Sequence, residues 1–322
     1  MSQLPAEDLE SKKEESKKDF EETLIKYPSL KKMMDVKDGE EVPESHDGRE
    51  MQLLRFIKDH ADSEDMKDNP SRILEAMDEF AAQHEFLINI GPDKAKIISG
   101  LILENKPRVL VEFGGYVGYS AILFADQMRA HASENREVHV WSLEMDSDIA
   151  TIARDLISTA GLSDYVTVVD GKAADSLRKL KEEGKVERID FLFLDHDESL
   201  YEQDLKLALD ELKLLQQNAC IVADNVLRPG APKYREYVQN HSGLRTRSLK
   251  ALIIPGEFEV SRRLLFDFHV MKHGTDKVIR MRSRSAKSFD LSLIMHWGLH
   301  GVQEQIQTDR QAMEHRSSLS RT

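Results

Sequence analysis

The sequence predicts an α/β protein built on a Rossmann-like, doubly wound and mostly parallel sheet with helices on both faces. Three observations carry that expectation. Short runs rich in Val, Ile, Leu and Phe recur through the middle of the chain, and stretches with helical apolar spacing separate them. A glycine-rich turn, Gly114-Gly115-Tyr116-Val117-Gly118, joins the first such run to the helical stretch after it. Strands that are apolar on both sides suit a sheet buried on both faces, which alternation with helices provides.

Taken in order, "RILEAMDEFAAQHEFLI" (72–88) and "KAKIISGLILENK" (94–106) repeat apolar residues every three to four positions and predict helices. "RVLVEF" (108–113) is the first strand, and "YSAILFADQMRA" (119–130) is the helix beyond the glycine turn. "VHVWSLE" (138–144), "YVTVVDG" (165–171), "IDFLFLD" (189–195) and "ACIVADN" (219–225) are the further strands. Between them, "DIATIARDLISTAG" (148–161), "ADSLRKLKEEG" (174–184) and "YEQDLKLALDELKLLQQN" (201–218) are the intervening helices. No internal repeat is present.

Around this core, residues 1–50 carry a net charge of −6 with few aromatics, and are expected to form a charged, flexible N-terminal extension. The α/β domain is expected over 51–270. Residues 271–322 carry a net charge of +4 and are expected to be a basic, partly disordered tail. Within it "FDLSLIMHWGLHGV" is apolar enough to pack, either on its own domain or on a partner.

Bulk properties narrow the function. A net charge of −13 argues against general attraction to nucleic acid or an anionic membrane surface. No run of about 18 apolar residues predicts a membrane span, and the polar start of the chain lacks the apolar stretch of a secretory signal. A single cysteine, Cys220, lies in an apolar run and reads as a buried thiol. The expected setting is the cytoplasm, with the protein a monomer acting on a small molecule.

In such sheets ligands bind beyond the carboxyl ends of the strands. The first strand ends at Glu112 and Phe113 before the glycine turn, whose G-G-x-x-G spacing disfavours a dinucleotide pyrophosphate. The second ends at Glu144, thirty residues after Gly114, where a carboxylate can accept both hydroxyls of a ribose. The same "EMDSD" stretch is also a good helix cap through Asp146 or Ser147. A glycine turn paired with Glu144 suits an adenosine-type cofactor without a pyrophosphate, such as S-adenosylmethionine. Two further strands end at Asp195 and at Asp224-Asn225. These oxygen donors, with no soft ligand close by in sequence, suit a hard cation such as Mg²⁺.

"EFLINIGPDKAKIISGLI", "VLVEFGGYVGYSAI", "SLEMDSD", "IDFLFLDH" and "ADNVLRPGAPKYREYV" occur in this order, and over residues 50–240 the chain resembles the catechol O-methyltransferase family. The resemblance implies Mg²⁺-dependent transfer of a methyl group from S-adenosylmethionine to one hydroxyl of a catechol. It places Asn89, Ile90 and Gly91 in the stretch that closes over cofactor and substrate. Glu112, Gly114, Tyr116 and Ser120 match contacts to the methionine part of the cofactor. Glu144 matches the ribose-binding carboxylate, Met145 an apolar contact to adenine, and His196 a cofactor contact. Asp195, Asp224 and Asn225 match the metal ligands, and Asp195 and Asn225 also border cofactor and substrate respectively. Phe86 and Pro229 match walls of the acceptor pocket.

Several positions depart from the family. Glu198 stands where the family carries the lysine that takes the proton from the reacting hydroxyl, so the base is either this glutamate or none, with the metal alone activating the acceptor. Asp197 replaces an aromatic residue, and Ala173 and Ala174 replace polar groups beside adenine. For the late glutamate that contacts the second hydroxyl, Glu257 and Glu259 are both candidates. These departures leave open a second reading, a methyltransferase fold kept as a binding or scaffold module.

Overall fold

The computed structural model describes residues 21, 23–31, 45–132, 137–251, 256–263, 268–270 and 279–281. One compact unit runs to Leu265 and a second begins at Phe266. In the first, the elements follow in the order α1 (Arg49–Lys58), α2 (Ser63–Met66), α3 (Pro70–Gln83), α4 (Gly91–Asn105), β1 (Val109–Phe113) and α5 (Tyr119–Ala130). They continue with β2 (His139–Glu144), α6 (Ser147–Thr159), β3 (Val166–Asp170), α7 (Ala173–Glu182), β4 (Ile189–Leu194) and α8 (Tyr201–Lys206). β5 (Leu215–Ala223), α9 (Pro232–Asn240), β6 (Leu244–Ala251) and β7 (Gly256–Arg263) complete the unit. The described part of the second unit is a short antiparallel pair, β8 (Phe268–Val270) with β9 (Ile279–Met281).

The seven-stranded sheet has the order β3-β2-β1-β4-β5-β7-β6. β1 to β5 are mutually parallel, and β7 joins antiparallel to both β5 and β6. The chain winds outward from β1 in two directions, so β1 and β4 flank the switch point where a crevice must open.

Strand alternation sorts the core into two layers. Leu110, Phe191, Phe193, Cys220 and Val222 face one cluster together with Ile73, Met77, Ile98, Ile122 and Leu156 from α3 to α6. Their neighbours Val111, Leu192, Leu194, Ile221 and Ala223 face the other, with Leu177, Leu205, Tyr234 and Val238 from α7 to α9. Every second residue thus enters each layer, as the two-residue period of a strand demands, and the expected doubly wound architecture holds.

The differences from the sequence reading lie at the ends. β5 begins at Leu215, inside the stretch read as helix, because the helical pattern stops in a wide turn at Leu207–Glu211. α1 and the antiparallel β6–β7 pair carry no signal read from the sequence. Part of the expected N-terminal extension packs instead: Tyr27 and Leu30 are buried, with the Tyr27 ring edge-on to Phe86 at 5.8 Å. Apolar side chains inside a charged stretch outweigh its average composition once a complementary surface is at hand. Residues 1–20, 22 and 32–44 and most of the 271–322 tail, its apolar patch included, lie outside the described residues. Among the described residues no helix is long and apolar enough to cross a membrane.

Candidate active site

A cleft of about 800 Å³ opens beyond the carboxyl ends of β1, β2 and β4. Ile90, Gly114, Tyr116, Ser120, Glu144, Met145, Ala173, Asp195, His196, Glu198 and Asn225, all expected in the site, line it.

The glycine turn forms its floor. Gly114 has φ of 87°, and its N–H donates to the Leu143 carbonyl at 2.9 Å. Asp195 N–H donates to the Phe113 carbonyl at 2.9 Å, so β4 runs hard against the turn. A Cβ at Gly114 would stand 2.4 Å from the Asp195 carbonyl oxygen, which is why no side chain is tolerated there. At Gly115 a Cβ would meet Ser142 Oγ at 2.2 Å, so that side chain would have to turn away.

Glu144 and Asp146 divide the two roles that the sequence left open. Asp146 caps α6, accepting from Asp148 N and Ile149 N at 2.9 Å each. Glu144 instead reaches the glycine turn: Oε2 accepts from Gly115 N at 3.1 Å and Tyr116 N at 2.8 Å, and Oε1 from Asp146 N at 2.9 Å. Oε1 retains a free lone pair for a ligand hydroxyl. Met145 is 69% exposed beside it, an apolar side chain offered to the cleft.

Glu112 lies beneath the turn, fully buried, with neither carboxyl oxygen hydrogen-bonded. Burial pushes its pKa up to about 7, only partly offset by the nearby Ser142 and Ser120 hydroxyls. A buried carboxylate without a protein partner is costly, so this group is suited to receiving a cation or a donor from a ligand.

At the β5 end the oxygen donors gather around a residue that sequence reasoning missed. Lys94, in the first turn of α4, donates from Nζ to Asp224 Oδ1 at 2.6 Å, Asp224 Oδ2 at 2.7 Å and Asn225 Oδ1 at 3.0 Å. Both charged side chains of this pair are about 95% buried (5% and 4% exposed). Asn225 adopts φ of 55°, and its N–H donates to Asp224 Oδ1 at 2.7 Å. Asp195 is held well above the ordinary carboxyl range, first by burial and then by the charge of Asp224, with Lys94 opposing both. Among the described residues no three His, Cys, Asp or Glu side chains are grouped to hold a metal.

His196 follows Asp195 and turns toward α8, where its Nε2 lies 2.7 Å from Asp204 Oδ2. Its ring packs edge-on to Phe113 and against Tyr201, while Nδ1 is buried without a partner. Asp204 is buried too, and was not singled out in the sequence. Asp204→Ala would leave the buried imidazole with both nitrogens unpaired, at a cost of about 1–3 kcal/mol. Urea denaturation of that variant against wild type measures it, and an unchanged midpoint would show that water replaces the carboxylate.

Glu198 opens a short 3-10 turn capped by Asp197, whose carboxylate accepts from Ser199 N at 2.9 Å. Half-buried on the cleft wall, Glu198 has its pKa raised by burial above all, with Asp197 and Asp224 adding to it. A second unforeseen layer comes from the segment before α1. Tyr116 donates its hydroxyl to Glu50 Oε1 at 2.9 Å, and His46 approaches Asp146 at 3.1 Å, so Ser45 and His46 border the cleft.

Two expected wall residues stand apart. Phe86 does not border the cleft; its ring is buried against Tyr27, and Ile88, 41% exposed, takes the wall position. Pro229 belongs to the turn Val226–Gly230, and its side chain is not described. Of the two late glutamates, Glu259 pairs in register with Ala223, the residue before Asp224, whereas Glu257 pairs with Lys250 on the outer strand.

Comparison with known proteins agrees with this arrangement. Residues 63–244 match the family model described as O-methyltransferase. A zebrafish (Danio rerio) protein named catechol O-methyltransferase B is 34% identical over 214 residues, covering 66% of this chain and 75% of that one. A probable O-methyltransferase of Mycobacterium tuberculosis is 35% identical over 202 residues, 62% of this chain and 82% of the other. In fold, the chain is similar to an O-methyltransferase of Bacillus cereus solved in complex with SAH, with a TM-score of 0.52 at 24% identity over 66% of this chain and 97% of that one. With more than half of its length matching the family model, and catechol O-methyltransferases among its relatives, the chain belongs to the O-methyltransferase family.

Proposed function

We propose that the protein transfers a methyl group from S-adenosylmethionine to one hydroxyl of a catechol or similar vicinal diphenol, with Mg²⁺ bound at the cleft. The observation that carries the reading is the meeting, in one cleft, of the glycine turn with Glu144 and of the oxygen donors Asp195 and Asn225, with Asp224 buried beside Asn225. The Lys94 ammonium is a stand-in cation for part of this set: both oxygens of Asp224 and Oδ1 of Asn225 converge on its positive charge, and the buried Asp195 carboxylate feels the same charge, a donor chemistry that suits a hard divalent ion. Asp195, Asp224 and Asn225 would hold Mg²⁺, which when bound supplies Lewis acidity that lowers the pKa of a coordinated hydroxyl.

The remaining work falls to the chain's own side chains. Gly114 and Gly115 admit the cofactor close to the backbone, Glu144 accepts its ribose hydroxyls, and Met145 and Ala173 flank the base. Ser120 and Tyr116 border its methionine end, with His196 beside them and Ile90 closing the wall. Holding a reactive cofactor and acceptor in one orientation supplies most of the rate. The acceptor's second oxygen is assigned to Glu259, on the strength of its register opposite Ala223, the residue before Asp224. The same reading takes the protein as a cytoplasmic monomer that meets its acceptor free in solution and engages neither nucleic acid nor membrane.

Glu198 is the candidate base, taking the proton from the reacting hydroxyl onto its carboxylate. Its raised pKa brings it nearer to neutrality, where a general base is more effective. The group acts when deprotonated, so kcat/KM rises as pH rises through its folded pKa. Glu198→Gln removes that limb and lowers activity about 100-fold, the lower end for a general base, whereas Glu198→Lys, the family's residue, retains activity. If Glu198→Gln keeps wild-type rates, the bound cation alone activates the acceptor. The reaction class is tested by methyl transfer from labelled cofactor to a panel of catechols, with Mg²⁺ and with EDTA. Cofactor binding without product would favour the scaffold reading, which the Glu198, Asp197, Ala173 and Ala174 departures support.

A further inference from the structure

We infer that Lys94 is a built-in counter-ion that competes with the divalent cation for Asp224 and Asn225, and so sets the metal affinity of the site. The inference rests on the Mg²⁺ reading above. A lysine ammonium has three N–H donors, and here all three are matched, to both oxygens of Asp224 and to Oδ1 of Asn225. An ammonium held by one carboxylate oxygen would leave the other untouched. This one draws on both.

The two cations oppose each other on charge and on lone pairs. Asp224 Oδ1 already accepts from both Nζ and the Asn225 N–H, so a metal at about 2.0–2.1 Å has only the remaining lone pair of Oδ2 while Nζ stays in place. Charges sequestered from water also repel far more strongly than solvated ones, and the Lys94 side chain is only 5% exposed. Without a metal, the lysine has a structural task. Asp195 feels the negative charges of Asp224, Glu112 and Glu198, and Lys94 is the cation among the groups acting on it. The ammonium thus holds an acidic cluster together until a divalent ion replaces it. Lys94 stands in the first turn of α4, four residues after Ile90, which with Asn89 lines the cleft, so its departure is felt at the cleft wall.

The test uses the full-length protein with Mn²⁺ as probe, free Mn²⁺ being read by electron paramagnetic resonance. Lys94→Gln removes the charge and keeps a polar side chain one bond shorter, and is expected to bind Mn²⁺ at least tenfold more tightly than wild type. In EDTA it should melt below wild type, and metal should raise its Tm by more. A second readout needs no variant: acetylation of Lys94, followed by mass spectrometry, should be low in EDTA and should rise as Mg²⁺ saturates the wild-type protein. Equal or weaker Mn²⁺ binding in Lys94→Gln, or a Lys94 that stays protected at saturating Mg²⁺, overturns the competition while leaving the Mg²⁺ reading intact. Absence of Mn²⁺ binding in both proteins overturns the two together.

Discussion

Asp224→Ala should abolish methyl transfer and also destabilise the protein by about 3–5 kcal/mol, the cost of stranding one partner of a buried ion pair. The stranded partner is Lys94, whose Nζ would lose contacts of 2.6 and 2.7 Å and keep the single 3.0 Å contact to Asn225. The Asn225 N–H, which donates to Asp224 Oδ1 at 2.7 Å, would lose its acceptor at a residue held at φ of 55°. Urea denaturation gives the stability, and transfer of labelled methyl gives the activity. Asp224→Asn separates the two effects, since its amide oxygen still accepts from the ammonium. It should recover part of the stability and little of the activity. A stable, active Asp224→Ala protein would sink both the ligand assignment and the picture of a buried ammonium.

Gly114→Ala should cost about 3 kcal/mol or more, combining left-handed backbone strain of about 1–3 kcal/mol with a clash that has no easy relief. The new Cβ meets backbone, not a flexible side chain: the Asp195 carbonyl oxygen at 2.4 Å, its carbon at 2.8 Å and His196 Cα at 3.0 Å. To relieve it, the end of β4 must move away from β1, carrying Asp195 and His196 with it. Cofactor affinity should therefore fall along with Tm, as titration calorimetry with S-adenosylhomocysteine would read. Gly184→Ala is the control. It shares a positive φ of 67° but has nothing within 4 Å of the added carbon, so it should cost about 1–2 kcal/mol and leave binding unchanged.

Much of the site is legible from sequence because parallel strands place their carboxyl ends together. Glu112, Glu144, Asp195 and Asp224 each follow an apolar run, and a two-faced apolar run is a local signal that needs no knowledge of distant residues. Once the strands are recognised, the crevice and its residues follow from topology. Phe86 shows where this logic stops. It lies at the right place in the chain for a pocket wall, yet its ring is drawn into the core by Tyr27, a residue in a stretch whose average charge suggested solvent.

The amino-acid sequence by itself determined the doubly wound sheet, the glycine turn at Gly114 and the oxygen donors at the strand ends, since each is written in periodicity or in residue type over a few neighbouring positions. Only the tertiary structure decided the partners. Lys94 meets Asp224 across 130 residues of chain, Tyr116 meets Glu50 across 66, and β7 adds to β5 in an antiparallel register that pairs Glu259 with Ala223. Pairings of this kind are electrostatic and long-range. A buried charge must find its counter-charge wherever the fold delivers one, and no local pattern records which residue that will be.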